Sequence, residues 1–370
     1  MFDLLIKDGR LFDVEGRELV SQDVGIKEGK ISKVGEIGEG EAHRVLRLHG
    51  ELVTPGMIDL HTHVMKGVTP LGVDPDSQLS RGVTTVVDAG SLGPGNFQAY
   101  YLVTSRSRTR VVPFLNIAYA GIPFFFRTRK QLPDAPSSRA LNVPEAARVV
   151  SENKVVRGIK VRIGSLASGR LGLKPLKAAL ELASRFDLPV MCHIDNPPPD
   201  VGEVLKLLRK GDILTHSFRG GGNSLELHWE QAREARRRGV IFDVGHGMHG
   251  LSFSAAKALI EGGFPPDIIS TDLHLRSLRI ARNLPWVMSE FLTLGMTLEQ
   301  VLSAVTHNPS RVLGIKSGVG EGTEADLAIL ALRESKVVFR DGEGKEMAST
   351  YYLRIKASLI SGSVVDPPRV

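Results

Sequence analysis

Read for the spacing of its apolar positions, the chain changes character twice. Residues 1–55 set Val, Ile and Leu in short alternating runs, "DLLIKDGRLFD", "DVGIKEGKISKVG" and "AHRVLRLHGELVTPG", broken by Asp-Gly and Glu-Gly pairs. That is strand-and-hairpin chemistry. The other end returns to it in "ADLAILAL", "SKVVFRDGEG" and "YYLRIKASLISG". The middle is different. Near-continuous apolar runs recur as "GMIDLHTH" (56–63), "TTVVDAG" (84–90), "RVVPFLNIAY" (110–119), "VVRGIKVRIG" (155–164), "LPVMCHIDN" (188–196), "DILTHSF" (212–218), "VIFDVGHG" (240–247) and "DIISTDLH" (267–274). Helical patterns separate several of them. In "PLKAALELASRF" (175–186), Leu176, Ala179, Leu180 and Ala183 hold the i, i+3, i+4, i+7 stripe, with Lys177, Glu181 and Arg185 facing out.

About eight strand–helix units in series predict an α/β fold with a closed parallel barrel, whose strands are buried on both faces. No G-x-G-x-x-G follows any strand, which disfavours an open dinucleotide-binding sheet. The expected organisation is a barrel over 56–321 and one small β-domain built from 1–55 plus 322–370.

Composition changes little. Hydrophobic residues are 42% and charged residues 24% of 370, ordinary for a globular chain with a large core. No apolar run is long enough to span a bilayer, and Asp3, Lys7 and Asp8 interrupt the N-terminal stretch, so neither a signal peptide nor a membrane partner is expected. The lone Cys192 excludes an internal disulfide and fits a reducing cytoplasm. The net charge of +6 gathers in "RSRTR" (106–110) and "REARRRG" (233–239). Neither cluster carries interleaved aromatics, so nucleic acid is not an expected partner. A small-molecule substrate and further copies of the same chain are.

The candidate chemistry lies where the apolar runs end. Residues two apart on a strand share a face, so His61 and His63 converge. Lys160 lies within the fourth run; His193, His216 and Asp272 end the fifth, sixth and eighth. In a parallel barrel these strand ends form one mouth. Four histidines, a lysine and an aspartate gathered there make a metal site. Arg162 shares a face with Lys160 and offers either a bidentate clamp for a substrate carboxylate or a salt bridge to a neighbouring loop. His274 shares a face with Asp272, to touch substrate or orient Asp272. His246, between glycines, reads as loop-ordering; His228, His249 and His307 read as structural, and Cys192 as a core hydrophobe.

The motifs "PGMIDLHTHV", "GVTTVVDAGS", "GIKVRIG", "CHIDNPPP", "LTHSF", "VIFDVGHG", "ISTDLH" and "NPSRVLG" resemble, in order and over essentially the whole chain, the amidohydrolase superfamily. The likeness is to its amidohydrolase/deacetylase, dihydroorotase-like branch. It implies a distorted (β/α)8 TIM barrel with a β-sandwich of both termini, and two divalent metal ions: zinc by default, with Mn, Fe or Co compatible. His61, His63 and Asp272 would hold the first ion and His193 and His216 the second. Lys160, carboxylated by CO2, would bridge them, and Asp272 would also move the catalytic proton. A desolvated lysine suits this, since burial favours the neutral amine. The implied activity is hydrolysis of an amide, cyclic amide or related ester. N-acyl amino acid deacylation comes first, dihydroorotase-type ring opening second, and purine deamination third. A non-catalytic dihydropyrimidinase-like scaffold is the reading from another class, and it would be expected to lose ligands that are all present here. "HSFRGGGNS" looks shortened for the branch, and Met65 and Lys66 stand where relatives often carry an aromatic and another polar residue, so the substrate does not transfer by likeness.

Overall fold

The computed structural model describes residues 1–122, 134–135 and 137–365. Residues 123–133 and 136 of the expected barrel, and 366–370 of the expected β-domain, lie outside the described residues.

The middle of the chain forms a curled parallel sheet of seven strands that pair in sequence order. They are Met57–Thr62, Val83–Ala89, Arg110–Asn116, Gly158–Ile163, Val190–Ile194, Ile213–Thr215 and Ile241–Phe242. Both faces are buried, as the apolar runs require. Ile58, Leu60, Val87, Val112, Phe114, Met191 and Ile213 pack inside the curl, while Val86, Val111, Ile159, Val161 and Cys192 pack outward with the helices. The helix at Lys174–Arg185 buries Pro175, Leu176, Ala179, Leu182 and Ala183. Leu182 takes the core position expected of Leu180, which is half-buried.

The eighth apolar run forms no regular strand, yet it bonds to both edges of the curl. Val244 and His246 donate backbone N–H groups to Ile268 and Ser270, and His63 donates to Leu273. Asp59 locks the seam, accepting from Thr271 N at 3.0 Å and Thr271 Oγ1 at 2.5 Å. Burial pushes its carboxyl up to about 7.

The first strand carries a β-bulge. Its register with the second strand slips between Asp59 and Thr62. Bulges re-aim side chains next to active sites. Here Leu60 sits in the inner cluster, and His61 and His63 still turn to the mouth of the curl.

The ends of the chain form two further sheets, the first from N-terminal strands alone and the second from both termini. One orders Lys30–Gly35, Asp23–Lys27, Leu4–Lys7 and Val45–Arg47; the other has six strands. Leu4, Ile6, Val24 and Ile26 share a buried cluster with Leu11, Val53, Leu327, Ile329 and Leu359. The six-stranded sheet contains a long hairpin, Leu327–Arg340 and Glu346–Ile360, which reaches far beyond the cluster. No helix among the described residues is long and apolar enough to cross a membrane.

Candidate metal centre

The residues that end the parallel strands line a single cavity of about 540 Å³: His61, His63, Lys160, Arg162, His193, His216, Asp272 and His274. Every site residue expected from the sequence is therefore brought together, from strands as distant in sequence as the first and the eighth segment.

Three of the histidines have their tautomer set from outside the cavity. His61 Nδ1 lies 2.8 Å from Thr215 Oγ1, and that hydroxyl already donates to Asp243 Oδ2 at 2.7 Å. The ring must therefore donate from Nδ1, leaving the Nε2 lone pair facing inward. His63 repeats the device, with Nδ1 2.9 Å from Ser91 Oγ, which donates to Asp88 Oδ2 at 2.8 Å. His216 Nδ1 donates to the Gly245 carbonyl at 2.6 Å. Such outer partners orient metal-binding imidazoles and raise their basicity. Burial also holds His61 and His193 well below the ordinary histidine range and brings His216 to about 3, so all three rings are neutral.

Lone pairs then meet lone pairs. Asp272 Oδ1 lies 3.5 Å from His61 Nε2 and 3.2 Å from His63 Nε2. It is buried and accepts no hydrogen bond from the described residues, and His193 Nε2 is equally without a partner. Ligand atoms of His61, His216 and Asp272 lie within 4.8 Å of one another. Inward-facing acceptors, two of them without any hydrogen-bond partner among the described residues, are the arrangement that a divalent cation satisfies, so the donor set fits a metal.

The backbone is strained to make it. His216 (φ 60°) and Asp272 (φ 47°) both occupy the left-handed region, where such residues cost about 1–3 kcal/mol and cluster at functional sites. Two glycines make room: a Cβ on Gly247 would stand 2.2 Å from Asp272 Oδ2, and one on Gly245 2.4 Å from Thr215 Oγ1.

Lys160 Nζ stands 3.1 Å from His61 Nε2 and 3.3 Å from Met191 Sδ. Asp88 is engaged by Val64 N, Ser91 N and Ser91 Oγ. Burial lowers the Lys160 amine to about 8.

A model of the amidohydrolase family matches residues 52–365. The chain belongs to the amidohydrolase family. It is 34% identical to a deacetylase of Brucella anthropi over 345 residues, which cover 90% of this chain and 85% of that protein. A deacetylase of Enterococcus faecalis is 29% identical over 377 residues, 99% of either chain. The solved structure of a dihydroorotase matches with TM-score 0.91 at 29% identity, covering 98% of this chain and 97% of that one. An adenine deaminase structure follows at 0.89 and 28%, covering 99% and 100%. Like its family, this amidohydrolase is a metal-dependent hydrolase acting on carbon–nitrogen bonds.

The remaining residues fall into place around the amidohydrolase centre. Arg162 lines the cavity, but its Nη1 also donates to Asp134 Oδ1 at 2.8 Å. His274 Nδ1 accepts from Arg276 N at 3.2 Å, so its Nε2–H points toward Asp272, 3.9 Å from Oδ2. Burial brings that ring down to about 4. His246 is fully buried against Glu290, Nε2 to Oε2 3.2 Å. Cys192 packs in the outer cluster, with burial pushing its thiol up to about 12. Sequence reasoning missed the two hydroxyl–carboxylate supports, Thr215–Asp243 and Ser91–Asp88. Their signal was in plain view, since "LTHSF" and "VDAGS" place a hydroxyl beside a candidate ligand and an aspartate in a strand.

Proposed function

We propose that this amidohydrolase holds two divalent ions and removes the acyl group from carboxylate-bearing small molecules, N-acyl amino acids first. His61, His63 and Asp272 would hold one ion and His193 and His216 the other, with Lys160 as a bridging carbamate. The observation that carries this reading is the convergence of those six side chains on one cavity, with Asp272 Oδ1 and His193 Nε2 left without a hydrogen-bond partner among the described residues. The neutral Lys160 amine would add to CO2, forming an N–C bond and losing a proton to solvent. When bound, zinc, or Mn, Fe or Co in its place, supplies a nucleophile from water at neutral pH and Lewis acidity for the scissile carbonyl.

The protein's own groups supply the rest. Asp272 takes a proton from the attacking water and delivers it to the leaving nitrogen, a role open to it because Oδ1 is not consumed by any hydrogen bond from the described residues. His274 offers its Nε2–H to a substrate oxygen beside that carboxylate. Arg162 has donors left over from its bond to Asp134, and these bind the substrate carboxylate. We read the curled sheet as a distorted (β/α)8 barrel, and the two terminal sheets, from 1–55 and 322–370, as a β-sandwich. The single buried thiol supports a cytoplasmic home.

The test is a screen of metal-loaded enzyme against N-acyl amino acids, α-acyloxy acids, dihydroorotate and hydantoins. Release of the acyl group as a carboxylic acid is expected. Turnover confined to the cyclic compounds would replace the reading with ring opening.

A further inference from the structure

The long hairpin of the terminal sheet does not end where its own core ends. Its two strands, 14 and 15 residues long, carry the turn 341–345 to the cavity mouth, where Gly342 and Glu343 join the lining. The tip is docked by design of its residues. Asp341 is buried and accepts from Glu343 N and Lys345 N. It also accepts from Phe253 N at 2.9 Å, the first residue of the helix Phe253–Glu261, so the hairpin caps a helix of the parallel-sheet body. The Gly342 carbonyl accepts from His249 Nδ1 at 3.2 Å.

Docking alone leaves Glu343 unexplained. Its Oε2 accepts from Ser252 Oγ at 3.1 Å and pairs with Lys345 Nζ at 3.2 Å, on an exposed lysine. Its Oε1 stands over Gly220, where a Cβ would come within 2.1 Å, so the wall carries a gap fitted to that oxygen. Around the cavity, half-buried Arg162 and Arg219 and the exposed Arg276 contribute positive charge. Asp195, the other acidic lining residue beside the ligand Asp272, is engaged by Leu166 N and Ala167 N. The lining thus carries both signs, with Arg162 and Arg219 half-buried and the Glu343 carboxylate held at the exposed hairpin tip.

We propose that Glu343 is a specificity residue, delivered by the terminal sheet, that favours substrates with a cationic group distal to the scissile bond and repels those with an acidic one. The substrate class rests on the deacylase reading above; the charge preference does not. A solvated rim charge contributes modestly, and attraction and repulsion add in a ratio, so a lysine-to-glutamate preference of about tenfold is expected, shrinking with salt.

The experiment uses the metal-loaded full chain as wild type, E343Q and E343K. One readout is kcat/KM for N-acetyllysine, N-acetylnorleucine and N-acetylglutamate. The other is Kd by calorimetry for the matching N-methylsulfonyl amino acids, which resist hydrolysis. In wild type both should favour lysine; E343Q should collapse the ratio toward one, mainly through KM, and E343K should invert it. A residue that only docks the hairpin would weaken all three ligands by one factor, and that result overturns the proposal. Absence of any lysine-to-glutamate discrimination in the wild-type Kd values does so as well. Shifting Kd ratios without turnover would retire the deacylase reading and leave the role of Glu343 standing.

Discussion

Arg162 sits between two roles, and replacing it separates them. Its Nη1 lies 2.8 Å from Asp134 Oδ1, with the two side chains 9% and 5% exposed. Asp134 Oδ2 has no hydrogen-bond partner among the described residues, so Arg162→Met strands a buried carboxylate. Stranding one member of a buried pair costs about 3–5 kcal/mol. Burial already raises the Asp134 carboxyl, with Arg162 opposing. Without the arginine the group can take a proton, which holds the cost near 3 kcal/mol, the low end of that range. For 370 residues, with an unfolding entropy of roughly 2 cal/mol/K per residue, the melting temperature should fall by roughly 4 °C. Arg162→Met should also raise KM for a carboxylate substrate, with a loss of about 2–3 kcal/mol in kcat/KM that shrinks on a neutral analogue. The double variant Arg162→Met/Asp134→Asn removes the stranded charge. It should regain most of the melting temperature and none of the KM. Differential scanning calorimetry and steady-state kinetics on the two substrates read both quantities. If the double variant recovered KM together with stability, or lost the same factor on both substrates, Arg162 would be purely structural.

Lys160→Ala should be nearly inactive and partly rescued by short carboxylic acids. In the wild-type protein, reactivation of metal-stripped enzyme at a fixed CO2 pressure should speed up as pH rises through about 8, where the buried amine loses its proton; a rate that falls over that range contradicts the carbamate. Asp272→Asn should cut kcat by about 10²–10⁴ from the proton transfer alone, measured at saturating metal. Thr215→Val removes the hydroxyl that orients His61 and should weaken metal affinity about 10–100-fold in a chelator competition, with little change in secondary structure by circular dichroism.

The candidate ligands were legible in the sequence because all but Lys160, which lies inside its run, stand at the end of an apolar run, a pattern that periodicity detects. The strand boundaries were less so, and they failed at the chemistry. "DILTHSF" is a regular strand only over Ile213–Thr215, because His216 turns into the left-handed region. "VIFDVGHG" is a regular strand only at Ile241–Phe242, its glycines being needed beside Thr215 and Asp272. "DIISTDLH" makes bridges instead of a strand, with Asp272 itself at φ 47°. Local propensity gives way where a site imposes strain. The bulge before His61 was equally invisible, since alternation from His61 to His63 reads the same with or without it. Asp134 and Glu343 carry no pattern at all. "SKVVFRDGEG" reads as a hairpin, but where its turn lands depends on how the terminal sheets sit against the parallel one, a long-range fact that no local spacing encodes.

The central claim, a centre for two metals with separable ligand sets, is tested most directly by counting metal. Elemental analysis of protein grown with added zinc should give near two equivalents per chain. His216→Asn should give near one, because His61, His63 and Asp272 remain for the first ion. An active wild-type protein holding a single equivalent, or a His216→Asn protein that keeps both, would contradict the account.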